Sequence, residues 1–263
     1  MKQQRTASKW RLLSARPGDG ATNMARDAAL MDRARQTGET VFSVYSWKRP
    51  TLSFGRNQQA LGRYNQTAID NANLDVVRRP TGGRALLHDH EITYSVTAPI
   101  GSEESLRESY RRINRVLLYA LRSLGVDASE SRAPVAHLPP GTAPCFAEAA
   151  EGELVVRGAK LVGSAQFRES GALLQHGSIL LRDDQVFIKS LLVAPDEPNF
   201  DRAATLTESM GRQPALTEVT DALFGAVVAL EDSSAMTLNE GELGDAVVAH
   251  RHRFVDRLWT WRR

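Results

Sequence analysis

Two adjacent glycines between β-type runs impose the strongest constraint on how this chain folds. Gly82 and Gly83 separate the runs 75–78 and 92–97, so the backbone has to reverse in a tight turn between them. Arginines flank the turn and a His-Asp pair follows it. Glycine lets a ligand approach the backbone amides, and arginine supplies positive charge for a phosphate or a polarised carbonyl. The segment therefore predicts either a plain hairpin or a site that binds an anion or an acyl group.

The rest of the chain alternates between β-type and helical patterns without an internal repeat. Asp19 or Thr22 is placed to cap the first helix. Ser105 and Glu108 have the spacing of a capping box for a long helix that Gly125 ends. The predicted helices are Asn23–Gln36, the long helix between Ser105 and Gly125 that carries Tyr110 and Leu124, Leu216–Leu230 and Leu243–Trp261. The predicted strands are Val41–Trp47, Thr51–Gly55, Asp75–Arg78, Ile92–Thr97, Glu153–Arg157 and Ala172–Leu181.

The order of these elements predicts a mixed α/β (α+β) fold, in which helices flank a central mixed sheet and the C-terminal end is helical. No stretch has the composition of an interdomain linker. We therefore expect one domain over residues 1–263, with a core at about 10–192 and a helical tail at about 200–263. Residues 132–144 contain four prolines and are predicted to form an irregular loop.

The composition excludes several classes of protein. Apolar residues make up 42% and charged residues 24% of the chain, which is typical of a globular protein and far from a disordered one. The net charge is +2 with both signs mixed, which argues against a dedicated nucleic-acid binder and leaves room for acidic protein partners. Residues 1–10 are polar and no run reaches the length of a membrane span, so we expect a soluble, cytoplasmic protein.

One thiol and one amine are candidates for chemistry. Cys145 is the single cysteine, so no intrachain disulfide is possible, and Lys160 follows it by fifteen positions. A nearby ammonium lowers the pKa of a thiol and stabilises the thiolate, which is the nucleophilic form. The competing interpretations are a cysteine that is a small buried hydrophobe, and a lysine whose stem packs on a strand while its amine faces water.

Three segments resemble the biotin/lipoate protein ligase and octanoyltransferase superfamily. The segment 78–89, RRPTGGRALLHD, is similar to its substrate loop. The segment 158–166, GAKLVGSAQ, is similar to its catalytic-lysine strand, and 175–181, QHGSILL, to the strand that follows. The resemblance extends from Trp10 to about Leu192. It implies the catalytic-domain fold of the biotin and lipoate ligases.

Within this superfamily the chain is most similar to octanoyltransferases of the LipM type. Lipoate ligases read His-Asp-x-Gly-Asn after the glycines, whereas residues 88–95 read HDHEITYS, as in the LipM branch. Cys145-Phe146 precedes Lys160 by the spacing of that branch. One departure is the loop after the cysteine, because the branch has Pro-Ser and an aromatic residue where residues 147–152 read AEAAEG.

The resemblance implies transfer of an octanoyl group from octanoyl-acyl carrier protein to a lysine of a lipoyl-domain protein, such as the glycine cleavage H protein. Cys145 would carry an acyl-thioester intermediate, and Lys160 would lower its pKa and orient the acyl carbonyl. The donor is already an activated thioester, so no ATP and no metal are required. Amides of the glycine turn, or of 163–164 and 177–178, are candidates for stabilising the oxyanion. The implied substrate-binding residues are Arg79, Thr81, Gly82, Gly83, Arg84, His88, Gly163, Ser164, Ala165, His176, Gly177 and Ser178.

Two other functions remain as alternatives. One is an ATP-dependent lipoate-protein ligase, and the other is a non-catalytic module that binds an acyl carrier or a lipoyl domain. Cys145 and Lys160 argue against the module, since binding alone needs no nucleophile. No metal site is predicted, because His88 and His90, two residues apart on a strand, would share a face without an evident third ligand. We expect neither nucleic acid nor membrane as a partner.

Overall fold

The structure is a computed structural model that describes residues 9–100, 105–132, 146, 149–194 and 202–263. The predicted loop, from residue 133 on, and Cys145 lie outside the described residues. The helices are α1 (Gly20–Thr37), α2 (Gln66–Asn71), α3 (Leu106–Ser123), α4 (Leu206–Met210), α5 (Leu216–Leu230), α6 (Gly244–Val255) and α7 (Arg257–Thr260), with short 3-10 helices at Gln185–Leu191 and Glu240–Leu243. The strands are β1 (Trp10–Ser14), β2 (Thr40–Tyr45), β3 (Thr51–Phe54), β4 (Asp75–Arg78), β5 (Leu86–His88), β6 (Glu91–Pro99), β7 (Ala128–Glu130), β8 (Leu154–Val156), β9 (Ala159–Glu169), β10 (Ala172–Leu180) and β11 (Met236–Thr237).

The strands form one large mixed sheet and one small sheet. The large sheet has the order β11-β1-β2-β6-β10-β9-β8-β7, parallel from β11 to β2 and antiparallel from β2 to β7. The small sheet has the order β4-β3-β5, in which β4 is parallel and β5 antiparallel to β3. The central mixed sheet that the sequence predicts is confirmed.

Helices cover both faces of the large sheet. Successive side chains of a strand point to opposite faces, and on β2 Val41 packs with Leu30 of α1. Its neighbour Phe42 packs with residues of α3 and α5 on the other face. Helix α6 packs against α1. None of the helices that the structure describes combines the length and the apolar character that a membrane crossing needs.

Local sequence signals place the ends of the early helices. Asp19 caps α1, since its side chain accepts a hydrogen bond from the amide of Thr22 at 2.7 Å. Ser105 and Glu108 form the predicted capping box of α3, and Gly125 follows the end of that helix with a φ of +80°. Helix α5 has the predicted bounds. The N-terminal ends of α1 and α3 thus follow from side chains that lie within four residues of them.

The prediction of one long helix over Leu243–Trp261 is wrong. The helix breaks at Asp256, whose backbone is extended, with φ −69° and ψ 118°. The Asp256 carboxylate accepts a hydrogen bond from the amide of Leu258 at 2.8 Å and so caps α7. Aspartate favours this capping conformation over the interior of a helix, so a new helix begins there.

Candidate active site

A narrow cavity of about 30 Å³ opens between α1, β2, β5, β6, β9 and β10. Most of its wall is apolar side chain and glycine backbone, and a few polar side chains interrupt it. A wall of this kind favours an apolar ligand that carries one polar group. The lining residues are Met24, Tyr45, Trp47, Arg79, Leu86, His88, Thr93, Gly163, Ser164, Ala165, His176, Gly177 and Ser178.

Strands β9 and β10 bring two of the sequence segments together across one wall. In their antiparallel register Gly163 lies opposite Ser178, and Ser164 lies opposite Gly177. A Cβ atom at Gly177 would lie 2.4 Å from the carbonyl oxygen of Gly163. Only glycine therefore fits at position 177, and this part of the wall consists largely of backbone.

A buried chain of hydrogen bonds holds His176 and joins α1 to the glycine turn. Its Nδ1 lies 2.8 Å from Oδ2 of Asp27, and its Nε2 lies 2.7 Å from Oγ1 of Thr81. The hydroxyl of Tyr45 donates to the same Asp27 oxygen at 3.1 Å. All four side chains are buried. Because both ring nitrogens have partners, the orientation of the His176 imidazole is fixed beside the cavity.

His88 belongs to a second buried network. Its Nε2 lies 2.9 Å from Oγ of Ser53, and its Nδ1 lies 3.2 Å from Oε1 of Glu91. The ring stacks on Trp47 with centroids 3.9 Å apart. Burial lowers the pKa of His88, although its hydrogen bond to Glu91 opposes that shift. The imidazole of His88 is therefore neutral at pH 7, so it forms a polar but uncharged part of the cavity wall.

Arg79 holds the glycine turn in shape. Its guanidinium donates to the carbonyl oxygens of Gly82 at 2.9 Å and of Arg84 at 2.6 Å, and to Oγ of Ser53 at 3.0 Å. Gly83 has a φ of +95°, in the left-handed region that glycine adopts without strain. Arg79 therefore shapes the wall through the backbone, while its positive charge borders the cavity.

A phenol and an amide fix the hydroxyl of Ser164. The hydroxyl of Tyr94 lies 2.7 Å from Oγ of Ser164 and accepts a hydrogen bond from Nε2 of Gln175 at 2.9 Å. Burial raises the pKa of Tyr94 to about 12, so its phenol stays protonated. Ser164 therefore presents a neutral, oriented hydroxyl at the cavity.

Lys160 is buried and paired with a carboxylate. The side chain is 4% exposed, and its Nζ lies 2.7 Å from Oε1 of Glu153. The second carboxylate oxygen of Glu153 accepts a hydrogen bond from the amide of Ala150 at 2.8 Å. The alternative in which the amine of Lys160 faces water is therefore wrong. The ion pair joins β9 to the loop that precedes β8.

Phe146, the neighbour of Cys145 in the sequence, is anchored beside Lys160. Its ring centre lies 5.2 Å from Nζ of Lys160, and the side chain is 3% exposed. A Cβ atom at Gly163 would lie 3.0 Å from two atoms of this ring and 3.3 Å from Cε of Lys160. Phe146 also packs with Leu86, which lines the cavity. The absence of a side chain at Gly163 thus lets the ring and the lysine stem meet on β9.

Comparison with known proteins identifies the family. The family model described as "Lipoyl protein ligase A/B catalytic domain" matches residues 19–227. The chain belongs to this family. A relative from Kyrpidia tusciae named Octanoyltransferase LipM is 37% identical over 277 residues, covering 97% of this chain and 99% of the relative. Another of that name, from Lysinibacillus sphaericus, is 40% identical over 204 residues and covers 73% of each chain.

Solved structures share the fold of this lipoyl protein ligase family member. A bi-partite lipoate protein ligase from Thermoplasma acidophilum has a TM-score of 0.77 at 22% identity, covering 97% of this chain and 96% of that chain. A lipoate-protein ligase A bound with ATP has a TM-score of 0.76 at 20% identity, covering 96% and 98%. At this identity the likeness shows the fold alone. The comparisons confirm three predictions from the sequence: the family, the α/β fold and the assignment as an acyltransferase.

The lipoyl ligase fold gathers most of the predicted substrate-binding residues around one cavity. Eight of the twelve line it, on β5, β9, β10 and the start of the glycine segment. Thr81 is not part of the lining and reaches it only through its hydrogen bond to His176. Gly82, Gly83 and Arg84 are not part of the lining either. Cys145 lies outside the described residues, so its role stays a prediction.

Three carboxylates at the site were not predicted from the sequence. Glu91 stands in the quoted run 88–95, so the motif itself could have suggested it. Glu153 precedes Lys160 by seven residues, and the hairpin of β8 and β9 brings them together. Asp27 is separated from His176 by 149 residues, and no sequence pattern near either residue indicates their contact.

The expectation that His88 and His90 share one face of a strand is wrong. His88 ends β5 and is buried, whereas His90 lies in the turn before β6. Nδ1 of His90 lies 3.1 Å from Oδ2 of Asp184. Among the described residues, Asp89, His90 and Asp184 have ligand atoms close enough to surround one ion. Such solvent-facing acidic groups are common without a metal, so we assign none to them.

Proposed function

We propose that this chain transfers an octanoyl group from octanoyl-acyl carrier protein to a lysine of a lipoyl-domain protein, through a thioester on Cys145. Relatives named octanoyltransferases support the octanoyl group and the context of lipoylation. One observation carries the assignment of the residues. Phe146, next to Cys145 in the sequence, packs on Gly163 beside the buried ammonium of Lys160.

In the first step the thiolate of Cys145 attacks the thioester carbonyl of the donor. The tetrahedral intermediate collapses, the carrier leaves as a thiolate, and that thiolate takes up a proton. One thioester replaces another, so ATP is not required. The ammonium of Lys160 stabilises the attacking thiolate and donates to the acyl oxygen as negative charge develops there.

Strand β9 supports a backbone contribution to the oxyanion. In the described part of the chain, β8 pairs with β9 only as far as Val162, and from Gly163 onward β9 pairs only with β10. Alternate amides on the other edge of β9 therefore have no strand partner. Donors of this kind stabilise an acyl oxyanion without reorganising during the reaction.

In the second step the neutral ε-amine of the acceptor lysine attacks the acyl-cysteine. Cys145 leaves as a thiolate, the new nitrogen loses a proton, and a stable amide forms. The acceptor is a lipoyl-domain protein, such as the glycine cleavage H protein. In this proposal the octanoyl chain enters along the apolar wall formed by Met24, Trp47 and Leu86. The proposal needs no metal and places the reaction in the cytoplasm.

Intact-mass measurement without ATP tests this function. After mixing with octanoyl-acyl carrier protein, we expect one octanoyl adduct that hydroxylamine removes, and its transfer to the acceptor in a second incubation. Cys145→Ser should give no such adduct and no turnover above contamination by wild type, because a serine hydroxyl lacks the low pKa of a thiol. Far-ultraviolet circular dichroism controls for its fold.

The two alternative functions, ligase and binding module, would give other results in this experiment. An ATP-dependent lipoate ligase leaves Cys145 unmodified and forms an acyl-adenylate from octanoate and ATP. A non-catalytic binding module forms neither product, although it retains affinity for the carrier or for the lipoyl domain. Either result overturns the proposal.

A further inference from the structure

Two arginines stack on Trp259, and the charges of two more, Arg56 and Arg263, lie near them. The guanidinium carbons of Arg253 and Arg262 lie 3.8 Å and 3.7 Å from the centre of a Trp259 ring. Both guanidinium groups are therefore within cation–π distance of the indole. The indole nitrogen of Trp259 donates to the carbonyl oxygen of Arg78 at 2.9 Å. Trp259 therefore holds two cations in fixed positions.

Arg56 and Arg263 extend this group, which we call the arginine cluster (Arg56, Arg253, Arg262 and Arg263). Arg262 donates to the carbonyl oxygen of Arg56 at 2.5 Å. The pKa of Arg253 and that of Arg262 are lowered, first by burial and then by the charge of Arg56. Like charges are thus crowded together, as expected of a surface that binds an anion.

The charge of the cluster is poorly compensated. Arg56 has one weak ion pair among the described residues, in which Oε1 of Glu169 lies 3.9 Å from its Nη2. Among the residues that the structure describes, Arg253, Arg262 and Arg263 form no ion pair with an acidic side chain. The Nη1 atom of Arg56 is buried and has no hydrogen-bond partner in the same part of the chain. The guanidinium groups of Arg262 and Arg263, which are exposed, are available to an acidic ligand.

The arginine cluster adjoins the cavity along β9. Gly163 and Ala165 line the cavity, and Phe167 lies two residues further on the same face of the strand, roughly 7 Å away. The guanidinium carbon of Arg56 lies 4.5 Å from the ring centre of Phe167. The cluster therefore stands where β9 passes from the cavity to the exposed surface.

We propose that the arginine cluster is the docking surface for the donor, an acidic carrier protein whose thioester arm carries a phosphodiester. Guanidinium groups match a phosphodiester and surface carboxylates in both charge and geometry. The acceptor instead presents a lysine, whose ammonium form the cluster repels. This inference rests on the proposed function and adds to it a surface outside the cavity.

The arginines of α3 provide the matched comparison. Arg112 is paired with Glu231 at 2.6 Å, so its charge is compensated. Arg111 and Arg115 are exposed on the same helix. Arg111→Gln with Arg115→Gln removes the same charge as Arg253→Gln with Arg262→Gln but leaves the arginine cluster intact.

Steady-state kinetics with two donors tests the proposal. Octanoyl-acyl carrier protein has the acidic protein and the phosphodiester, and octanoyl-pantetheine has neither. In Arg253→Gln/Arg262→Gln we expect the KM for the carrier donor to rise about tenfold, with little change for octanoyl-pantetheine or for the acceptor. The α3 double variant should behave as wild type. Added salt should weaken the carrier reaction of wild type more than that of the cluster variant.

Each other outcome overturns the proposal. An unchanged KM for the carrier excludes the cluster as its docking surface, and a higher KM for the acceptor assigns the cluster to the acceptor. Equal losses of activity with both donors would show that the arginines support the fold or the cavity and not the docking of the carrier. If the double variant does not fold, Arg262→Gln at its exposed position gives the same comparison. No turnover of octanoyl-acyl carrier protein by wild type refutes the proposed function instead.

Discussion

At the scale of single residues, the buried charge of Lys160 is opposed by Glu153. The 2.7 Å ion pair keeps the amine in place and also adds a negative charge next to it. A thiolate near this pair is attracted by the ammonium and repelled by the carboxylate. The two residues should therefore shift the pKa of Cys145 in opposite directions.

Substitutions at Lys160 and Glu153 test these opposite shifts of the Cys145 pKa. Lys160→Met should raise the pKa of Cys145, and Glu153→Gln should lower it, because each removes one of the two charges. A full pKa unit corresponds to about 1.4 kcal/mol, so the loss of one charge contact is measurable. The measurement is the rate of alkylation by iodoacetamide against pH. Lys160→Arg should retain part of the shift but lose most activity, since a planar guanidinium does not replace a compact ammonium.

The same midpoint in all four proteins would remove Lys160 from the proposed site. Shifts in the same direction for Lys160→Met and Glu153→Gln would instead indicate that Glu153 acts only by positioning the lysine. Thermal unfolding of each variant separates these effects from loss of the fold.

His88 should make the fold sensitive to acid. Burial lowers its pKa in the folded state below the ordinary value of 6.5, so the unfolded chain binds more protons as the pH falls. The contribution of neutral His88 to the free energy of unfolding is therefore present above pH 6.5. It is lost as the pH falls below that value, with a slope of at most about 1.4 kcal/mol per pH unit. His88→Gln should flatten this decline in urea unfolding measured across the acid range. Parallel curves for the two proteins would contradict the prediction.

At the scale of elements, β9 positions both the wall of the cavity and the lysine. Gly163 lies where the ring of Phe146 and the stem of Lys160 meet, so a methyl group there has to displace one of them. We expect Gly163→Ala to lower kcat by roughly tenfold, because small displacements of reacting groups are costly. The fold should lose about 1–3 kcal/mol from overpacking.

Gly225 on α5 is the control for this substitution. It is exposed, and a Cβ atom there would meet nothing within 4 Å. Gly225→Ala should stabilise the protein by about 0.5–1 kcal/mol and leave kcat unchanged. Urea unfolding and steady-state kinetics on both variants check this pair, and a wild-type kcat in Gly163→Ala would show that the contact has no role in catalysis.

At the scale of the whole molecule, Arg78 joins the glycine segment to the C-terminal helices. It is fully buried and donates to the carbonyl oxygens of Gly55 at 2.6 Å, Gln58 at 2.7 Å and Thr260 at 2.8 Å. Its fork-shaped guanidinium reaches all three, which an ammonium on a single stem cannot do. A residue that the sequence suggests for an anion thus serves the architecture.

Arg78→Lys should therefore destabilise the fold by about 3 kcal/mol, because buried carbonyl oxygens lose their donors. The exposed substitution Arg111→Lys should stay within about 0.5 kcal/mol of wild type. Chemical denaturation of both variants measures the difference. A shared midpoint with wild type would show that these hydrogen bonds have no net role in stability.

The sequence by itself determined the elements whose signals are local. The capping box at Ser105 and the left-handed glycine at Gly125 are signals within a few residues of the helix ends, and the bounds of α5 follow its apolar pattern. The single long helix at the C-terminal end is predicted wrongly, since the apolar pattern continues past the capping aspartate at Asp256. The three motifs, read in order, also predicted the family and the fold that the comparisons confirm.

Only the tertiary structure decided which side chains meet. Asp27 reaches His176 across 149 residues, and Arg78 reaches Thr260 across 182. The ion pair of Lys160 with Glu153 depends in the same way on the pairing of β8 with β9. Local sequence fixes backbone propensity and the face of each element, whereas such contacts arise when distant elements bury their apolar faces together. The partner of a buried polar group is therefore set by the packing of the whole molecule.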